Sequence, residues 1–313
     1  MNRSVKAFAP ATVANATSGF DIFGFALEEP GDTVICSLSD QPGLRIAPLE
    51  GAYSELPTDP DKNTAGVAIQ ALMQKYDIHQ GLDLVIKKGV PIVGGMGSSA
   101  SSAAAAVAAV NELLELNLSA LDLLPFVIAS EKMATGSPHA DNAAPCLLGG
   151  FSLVRCIEPL DVVSVSVPEN LSCAIVHPHM QIKTKDARGI LPENVSMKTA
   201  TRQMGHAAGF VLGLANNDLD LISRSMVDEL AEPHRSKLIP GYAEVKEAAL
   251  KSGALGCGIS GSGPSMFALC PSLRIAQEVG QAMTNTFQNG GMGSDLYISR
   301  ISQQGARILD VDA

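Results

Sequence analysis

A chain of 313 residues with 46% hydrophobic side chains has room for one large or two medium domains and a substantial core. Its formal charge of −10, 4% aromatic content and lack of tryptophan argue against a nucleic-acid binder, which needs clustered Lys and Arg and often aromatic stacking platforms. The six cysteines, at 36, 146, 156, 173, 257 and 270, form no C-x-x-C and no zinc spacing with His, which fits scattered thiols in a reducing compartment.

The first residues, MNRSVKAFAP, carry no hydrophobic signal core and no transit segment, and no apolar run reaches about 18 residues without polar interruption. A soluble, cytoplasmic protein with no membrane partner is expected. Val5–Ala9 reads as a strand ending at Pro10. The following ATVANATSGFDIFGFAL is too rich in small residues for a plain strand and sets Asn15 and Asp21 around Gly19, where turn chemistry alone also suits both. Asp32–Leu38 alternates as a strand, and Gln41–Pro60 reads as a strand with surface turns. Asp61–Thr64 caps a helix running to about Tyr76. Leu82–Lys88 alternates again and leads into the most informative stretch of the chain.

That stretch, Val90–Leu116, starts as a β-type run, breaks at Gly94, Gly95 and Gly97, and passes through Ser98 and Ser99 into an alanine-dense helix. Glycines allow positive φ and close backbone approach to a ligand. A helix N-terminus presents unpaired N–H groups and partial positive charge, and serine hydroxyls can bond phosphate oxygens or reach a metal. An anion at this helix start is the reading. Neither GxxxxGK[ST] nor GxGxxG is present here.

Further on, Ser119 caps a helix from Ala120 to about Met133. Glu131 lies near its C-terminal end, a poor place for a carboxylate unless a cation or solvent meets it. Thr135–Ala144 is a polar loop, Leu147–Val154 a strand, and Leu160–Val167 an alternating strand that marks a soft boundary between residues 1–160 and 161–313. Ser172–Val176 is a strand, Ile182–Leu191 a basic loop, and Ser196–Leu214, Leu219–Met226 and Tyr242–Ser252 are helices. Gly256–Leu269 reads as a glycine turn into a strand. Gly256–Gly261 fits G-x-G-x-x-G, but a helix precedes it and a strand-like run follows, so dinucleotide binding is rejected. Arg274–Gln288 is a helix and Leu296–Ile301 the final strand.

Pro91, Gly95, Met96, Gly97, Ser98, Ser99 and Ala100 fill P-x3-G-[LM]-G-S-S-A, a pattern that resembles the phosphate loop of the GHMP kinase superfamily. Pro10–Gly24 and Gly258–Ser265 (GISGSGPS) are similar to that superfamily's first and third motifs, in the right order across nearly the whole chain. Val93 departs from the pattern, where a small residue is usual. Within the superfamily, Asn15, Gly19, Phe20 and Asp21, the His139–Asn142 segment (HADN), Lys185–Arg188 and Glu232–Arg235 resemble the homoserine kinase family.

The resemblance implies an α+β, two-domain GHMP kinase fold: an N-terminal domain like ribosomal protein S5 domain 2 and a ferredoxin-like C-terminal domain. It implies ATP and Mg2+ as cofactors, L-homoserine as the small-molecule substrate, O-phospho-L-homoserine for threonine synthesis as the outcome, and a homodimer as the family's expectation. Pro91, Ile92, Val93, Gly94, Gly95, Met96, Gly97, Ser98, Ser99, Ala100 and Ser101 would hold the phosphates, with Asn63 at the base and Lys87 bordering the nucleotide. Ser99 and Glu131 would ligate the metal. The substrate's carboxylate calls for guanidinium, which Arg188 and Arg235 offer. Its ammonium suits Asp21 and Asn15, and its hydroxyl lies within reach of a loop holding His139 and Asn142. Asn142, Arg188, Ser99 and Glu131 are expected at the transfer itself.

Other GHMP kinases place an aspartate near the acceptor hydroxyl, whereas Asn142 stands at that place here, and an amide takes no proton. The resemblance therefore implies catalysis without a dedicated base, with Asp141 and Asp21 as weaker alternatives. Another GHMP kinase, acting on mevalonate, a diphosphocytidyl sugar alcohol or a sugar, is the runner-up. A catalytically silent GHMP-fold sensor is the reading from another class.

Overall fold

The computed structural model describes residues 3–49 and 54–312. The first half runs β1 (Ser4–Ala14), β2 (Phe23–Ser39), β3 (Leu44–Ile46), α1 (Thr64–Lys75), β4 (Gly81–Lys87), α2 (Ser98–Leu113), α3 (Ala120–Thr135), α4 (Ala143–Leu148), β5 (Phe151–Ile157) and β6 (Leu160–Val165). The second half runs β7 (Ser172–Pro178), α5 (Thr184–Gly189), α6 (Met197–Asn216), α7 (Leu219–Ser225), α8 (Glu232–Arg235), α9 (Tyr242–Lys251), β8 (Gly256–Ile259), β9 (Met266–Cys270), α10 (Leu273–Asn289), β10 (Ser294–Arg300) and β11 (Arg307–Asp312).

The strands form two sheets. The first has the order β11-β1-β2-β4-β3, with β5 pairing the start of β2 and β6 pairing β5. The second has the order β10-β7-β9-β8 and is antiparallel throughout. Taken as β7, β8, β9 and β10 in chain order, that is the 4-1-3-2 arrangement of a ferredoxin-like sheet, as expected. Both β6 and β11 join the first sheet, so that sheet draws strands from either side of residue 160.

The alanine density of α2 has a packing reason. This helix lies against β1 and β2 on one side and against α1, α3 and α4 on the others. Ala103, Ala104, Ala105 and Ala106 are all fully buried, so small side chains are needed on every face. A second core joins the two sheets. Phe23, Phe25, Phe151, Phe210 and Phe267 pack with ring centroids 5.4 to 6.2 Å apart, bringing together β2, β5, α6 and β9. This aromatic cluster fixes the sheet-to-sheet relation on which the cleft above it depends.

Several elements differ from the sequence expectation. β1 does not stop at Pro10. It continues to Ala14, and a register shift between Pro10 and Thr12 accommodates the residue that has no N–H to donate. Of Gln41–Pro60 only Leu44–Ile46 is a strand, and residues 50–53 of that stretch lie outside the described residues. Gly256–Ile259 is a strand rather than a turn, and it turns back into β9, not into a helix. That hairpin removes the context a dinucleotide-binding motif needs. The short helices α4, α5 and α8 span only four to six residues, too few for a periodic signal. β11 follows the strand expected to be last. Among the described residues no helix is long and apolar enough to cross a membrane.

Candidate active site

A cleft of about 550 Å³ opens where the three glycine-containing motifs meet. The loop after β4 reaches α2 through Gly95 at φ +76° and Gly97 at φ +67°. A Cβ on Gly95 would lie 2.3 Å from the Ser260 carbonyl oxygen, and one on Gly97 would lie 2.1 Å from Thr12 Oγ1. Both glycines are thus demanded twice, by conformation and by close approach. The Ser260 hydroxyl donates to Gly95 O at 2.6 Å, Gly261 N donates to Ala14 O at 3.1 Å, and Thr12 N donates to Met96 O at 3.1 Å. First, second and third motifs are stitched into one wall. Val93 sits in the same left-handed region at φ +54°, where a β-branched residue is strained. The departure noted in the sequence is therefore a strained point of the loop.

Beneath the loop is a buried ion pair. Lys88 Nζ donates to Asp32 Oδ2, to Ser98 O at 2.9 Å and to Ser102 Oγ at 2.9 Å. Asp32 Oδ1 in turn accepts from Gly89 N at 2.9 Å and Val90 N at 3.1 Å. The pair ties the exit of β4 to the first turn of α2, which leaves the loop between them little freedom. Burial pulls the Lys88 ammonium below the usual lysine range, and the Asp32 charge works against that pull.

A second group of lining side chains comes from the loop between β1 and β2, from α5 and from α8. Arg188 Nη2 donates to both oxygens of Asp21, at 2.8 and 2.9 Å. Asp21 is held at φ +61°, with its backbone N–H donating to Asn15 Oδ1 at 3.0 Å, and Asn15 Nδ2 donates to Gly261 O at 2.8 Å. Arg235 is buried and donates to Ala187 O at 3.1 Å and Gly261 O at 2.9 Å. The Phe20 ring lies 5.4 Å from the Arg188 guanidinium carbon and 5.2 Å from that of Arg235, a cation–π arrangement that lets two like charges share one site. His139 Nδ1 is 4.0 Å from Asp21, and burial lowers the His139 pKa, keeping the ring neutral near pH 7.

The cleft is also lined by carboxylates of α3 and of the loop that follows. Glu131 is buried at 4% exposure, its pKa pushed up to about 7 by burial, with a hydrogen bond from Ser99 pulling the other way. Asp141 is buried to the same degree and also reaches about 7, first through burial and then through repulsion from Asp21 and Glu131. Thr12 Oγ1 donates to Asn142 Oδ1 at 2.7 Å. A buried carboxylate bonded to a serine hydroxyl is a hard-oxygen donor pair. It fits a magnesium ion that keeps waters and takes its other oxygens from phosphates. Ser99 and Glu131 are the residues that would hold it.

The cleft is lined by Asn15, Asp21, Asn63, Ile92, Val93, Gly94, Gly95, Gly97, Ser98, Ser99, Glu131, His139, Asn142, Arg188 and Arg235, which brings together most of the residues singled out in the sequence. Pro91 is absent from that lining, and Met96, Ala100 and Ser101 are fully buried behind it. The Ser101 hydroxyl donates to Ala9 O and accepts from Asp32 N. Asn63 caps α1, accepting from Ala65 N at 3.0 Å and donating to Pro57 O at 2.8 Å, so both ends of its amide are engaged. Lys87 is exposed on β4, and its neighbour Lys88 lines the cleft instead. Asp32, Lys88, Thr12 and the ring of Phe20 were not assigned roles from the sequence. Thr12 and Phe20 both stand inside the first motif, whereas Asp32 and Lys88 had no signal there. Lys62, Lys183 and Lys185 add a cationic rim to a chain of net negative charge, which would draw a polyphosphate inward.

Comparison with known proteins decides the family. The model of the GHMP kinases N-terminal domain matches residues 63–150, and that of the GHMP kinases C-terminal domain matches 210–289. The chain is similar to a homoserine kinase of Chlorobium phaeovibrioides, at 47% identity over 98% of this chain and 100% of the relative. The chain belongs to the GHMP kinase family, among its homoserine kinases. A homoserine kinase of Methanococcus vannielii is 43% identical over 85% of this chain and 88% of its own. The crystal structure of homoserine kinase from Cytophaga hutchinsonii superposes with a TM-score of 0.95 at 50% identity, covering 98% of this chain and 97% of that one. A mevalonate kinase of L. major, at 16% identity and TM-score 0.70, shares the GHMP kinase fold.

Proposed function

We propose that the cleft transfers the γ-phosphoryl group of ATP to the side-chain hydroxyl of L-homoserine, giving O-phospho-L-homoserine for threonine biosynthesis. The observation that carries this reading is that two built groups line one cleft. One is a glycine loop with a helix N-terminus. The other is an acid and two arginines, matched to an α-amino acid. The 47% and 50% identities to homoserine kinases over nearly full length support the same substrate.

In this proposal the Gly94–Ser99 segment and the start of α2 hold the phosphates, Arg188 and Arg235 take the α-carboxylate, and Asp21 and Asn15 take the ammonium. Magnesium, bound by Ser99 and Glu131, would offset phosphate charge. Thr12 donates to the Asn142 carbonyl oxygen, which leaves the amide N–H2 as the group Asn142 can offer. It can hold the acceptor oxygen, but it cannot take the proton. The proton then passes to a phosphate oxygen, as a loose transition state permits. Asp141 is the competing proton acceptor, because its pKa of about 7 suits a base.

The proposal extends to a cytoplasmic homodimer and to a division at residue 160, with the phosphate loop in 1–160 and the two arginines in 161–313. The test of function is a coupled assay of ADP release with homoserine, mevalonate and galactose. Homoserine alone should drive release. Preference for mevalonate or galactose would overturn the substrate assignment, and no release with any of the three would favour a silent sensor.

A further inference from the structure

Gln203 is a buried amide on α6, on the same face as Phe210 two turns later in the aromatic cluster. A buried amide needs partners, and this one has a partner at each end. Its Nε2 donates to Ser18 O at 2.6 Å, in the loop between β1 and β2. Its Oε1 accepts from Glu229 N at 2.8 Å, in the segment ahead of α8. The amide has one orientation, because a carbonyl only accepts and a backbone N–H only donates. Arg202, beside it on α6, pairs with the Glu229 carboxylate at 2.5 Å.

Both segments depend on what surrounds them. Asn15, Ala16, Thr17 and Asp21 lie at φ of +40 to +67°, a region that non-glycine residues keep only when their surroundings impose it. Glu229 leads into a turn where Asp228 accepts from the N–H groups of Leu230, Ala231 and Glu232 at 2.8 to 3.0 Å, and α8 with Arg235 starts from there. On the cleft side the two segments converge on one atom, Gly261 O, which accepts from Asn15 Nδ2 at 2.8 Å and from Arg235 Nη1 at 2.9 Å. A junction at one atom permits rotation about it, and a second point of attachment removes that freedom. We infer that Gln203 is this second point, a positioning residue outside the cleft lining that holds the β1–β2 loop and the Arg235 segment in fixed relation. The kinetic half of its test rests on the homoserine reading.

Gln203→Met keeps the side-chain length and removes both hydrogen bonds. KM for homoserine should rise about tenfold, while KM for ATP stays within about twofold of wild type. Val279→Ala, a truncation in the buried core under α10, is the control for general loosening. It should lower the melting temperature as much or more and leave both KM values within about twofold. An unchanged KM for homoserine in Gln203→Met, equal rises in both its KM values, or the same rise in Val279→Ala would overturn the inference. Backbone hydrogen exchange gives a readout that needs no substrate. In Gln203→Met the amides of Gly19, Ile22 and Phe23 and those of Leu230, Ala231 and Glu232 should all exchange about tenfold faster, with Ser101 at the start of α2 unchanged. Faster exchange in only one of the two segments, or in neither, would refute the tie. Wild-type failure to use homoserine would strike the function reading and leave this exchange test standing. Where Gln203→Met does not fold, Gln203→Glu keeps an acceptor for Glu229 N and loses the donor to Ser18 O. It should speed exchange at Gly19, Ile22 and Phe23, and unchanged exchange there would refute the inference.

Discussion

Lys88 and Asp32 form a buried ion pair that clamps both ends of the phosphate loop at once, through Ser98 O and Ser102 Oγ on the helix side and the N–H groups of Gly89 and Val90 on the strand side. Such a pair is costly to break and less costly to replace whole. Lys88→Met, which strands a buried carboxylate, should destabilise the chain by about 3–5 kcal/mol in denaturant unfolding. The double variant Asp32→Leu/Lys88→Met should recover a large part of that loss but keep a raised KM for ATP, because the loop is no longer tied. Equal stability losses in single and double variants would show that the pair carries no coupling.

Gly95 tests the meeting of the second and third motifs. An alanine there would bring Cβ to 2.3 Å from Ser260 O and 2.9 Å from Gly263 O, on backbone and not on a movable side-chain end, at φ +76°. Gly95→Ala should cost about 2 kcal/mol of stability or more and abolish most turnover. Full turnover in this variant, read with saturating ATP and homoserine, would contradict the packed wall.

Ser99→Ala removes one oxygen donor and the hydrogen bond to Glu131. Turnover should fall by about a hundredfold, the scale for losing one transition-state contact, while KM for homoserine stays close to wild type. An unchanged kcat would remove Ser99 from the transfer step.

Asp141 gives a pH signature. Its folded-state pKa is raised from 3.8 to about 7, so the native state keeps a proton that the unfolded chain has already released. Stability should therefore be highest below the unfolded value and fall as pH rises from about 4 to about 7. Asp141→Asn, measured by thermal unfolding without nucleotide, should gain stability at pH 8 by a few degrees and reduce that slope, Glu131 with its pKa raised from 4.5 to about 7 supplying the remainder. The same variant separates the two proton routes. With a phosphate oxygen as acceptor, Asp141→Asn should keep turnover within about tenfold of wild type, and Asn142→Ala should lose more. Abolished turnover in Asp141→Asn with a spared Asn142→Ala would make Asp141 the base.

Much of the site was readable because its chemistry is local in sequence. Gly95, Gly97, Ser98 and Ser99 announce a turn into a helix by themselves, whereas Asp21 and Arg188 were singled out only by the resemblance of their segments to the homoserine kinases, and the structure pairs them at 2.8 Å. The Lys88–Asp32 pair was not readable, since its partners are 56 positions apart and each looks ordinary alone. Choosing Lys87 over Lys88 follows from the same limit. Strand alternation puts one of them outward and one inward, but nothing local says that the strand end twists Lys88 under the loop. Asn63 carries two expectations, a cap for the helix it precedes and a contact to the base, and the structure shows the cap of α1 and sets the same residue in the cleft lining. β11 escaped notice because its partner, β1, is about 300 residues earlier, and an exposed edge strand carries little apolar patterning.

The most direct measurement is a phosphorus NMR spectrum of the product formed from ATP and L-homoserine by the wild-type enzyme. A phosphate ester of the side-chain hydroxyl places phosphorus next to a CH2 group, so its signal should be split by two equivalent protons, with ADP formed in equal amount. A product signal without proton splitting, as from an acyl phosphate on the α-carboxylate, or ADP with only inorganic phosphate, would contradict transfer to that hydroxyl.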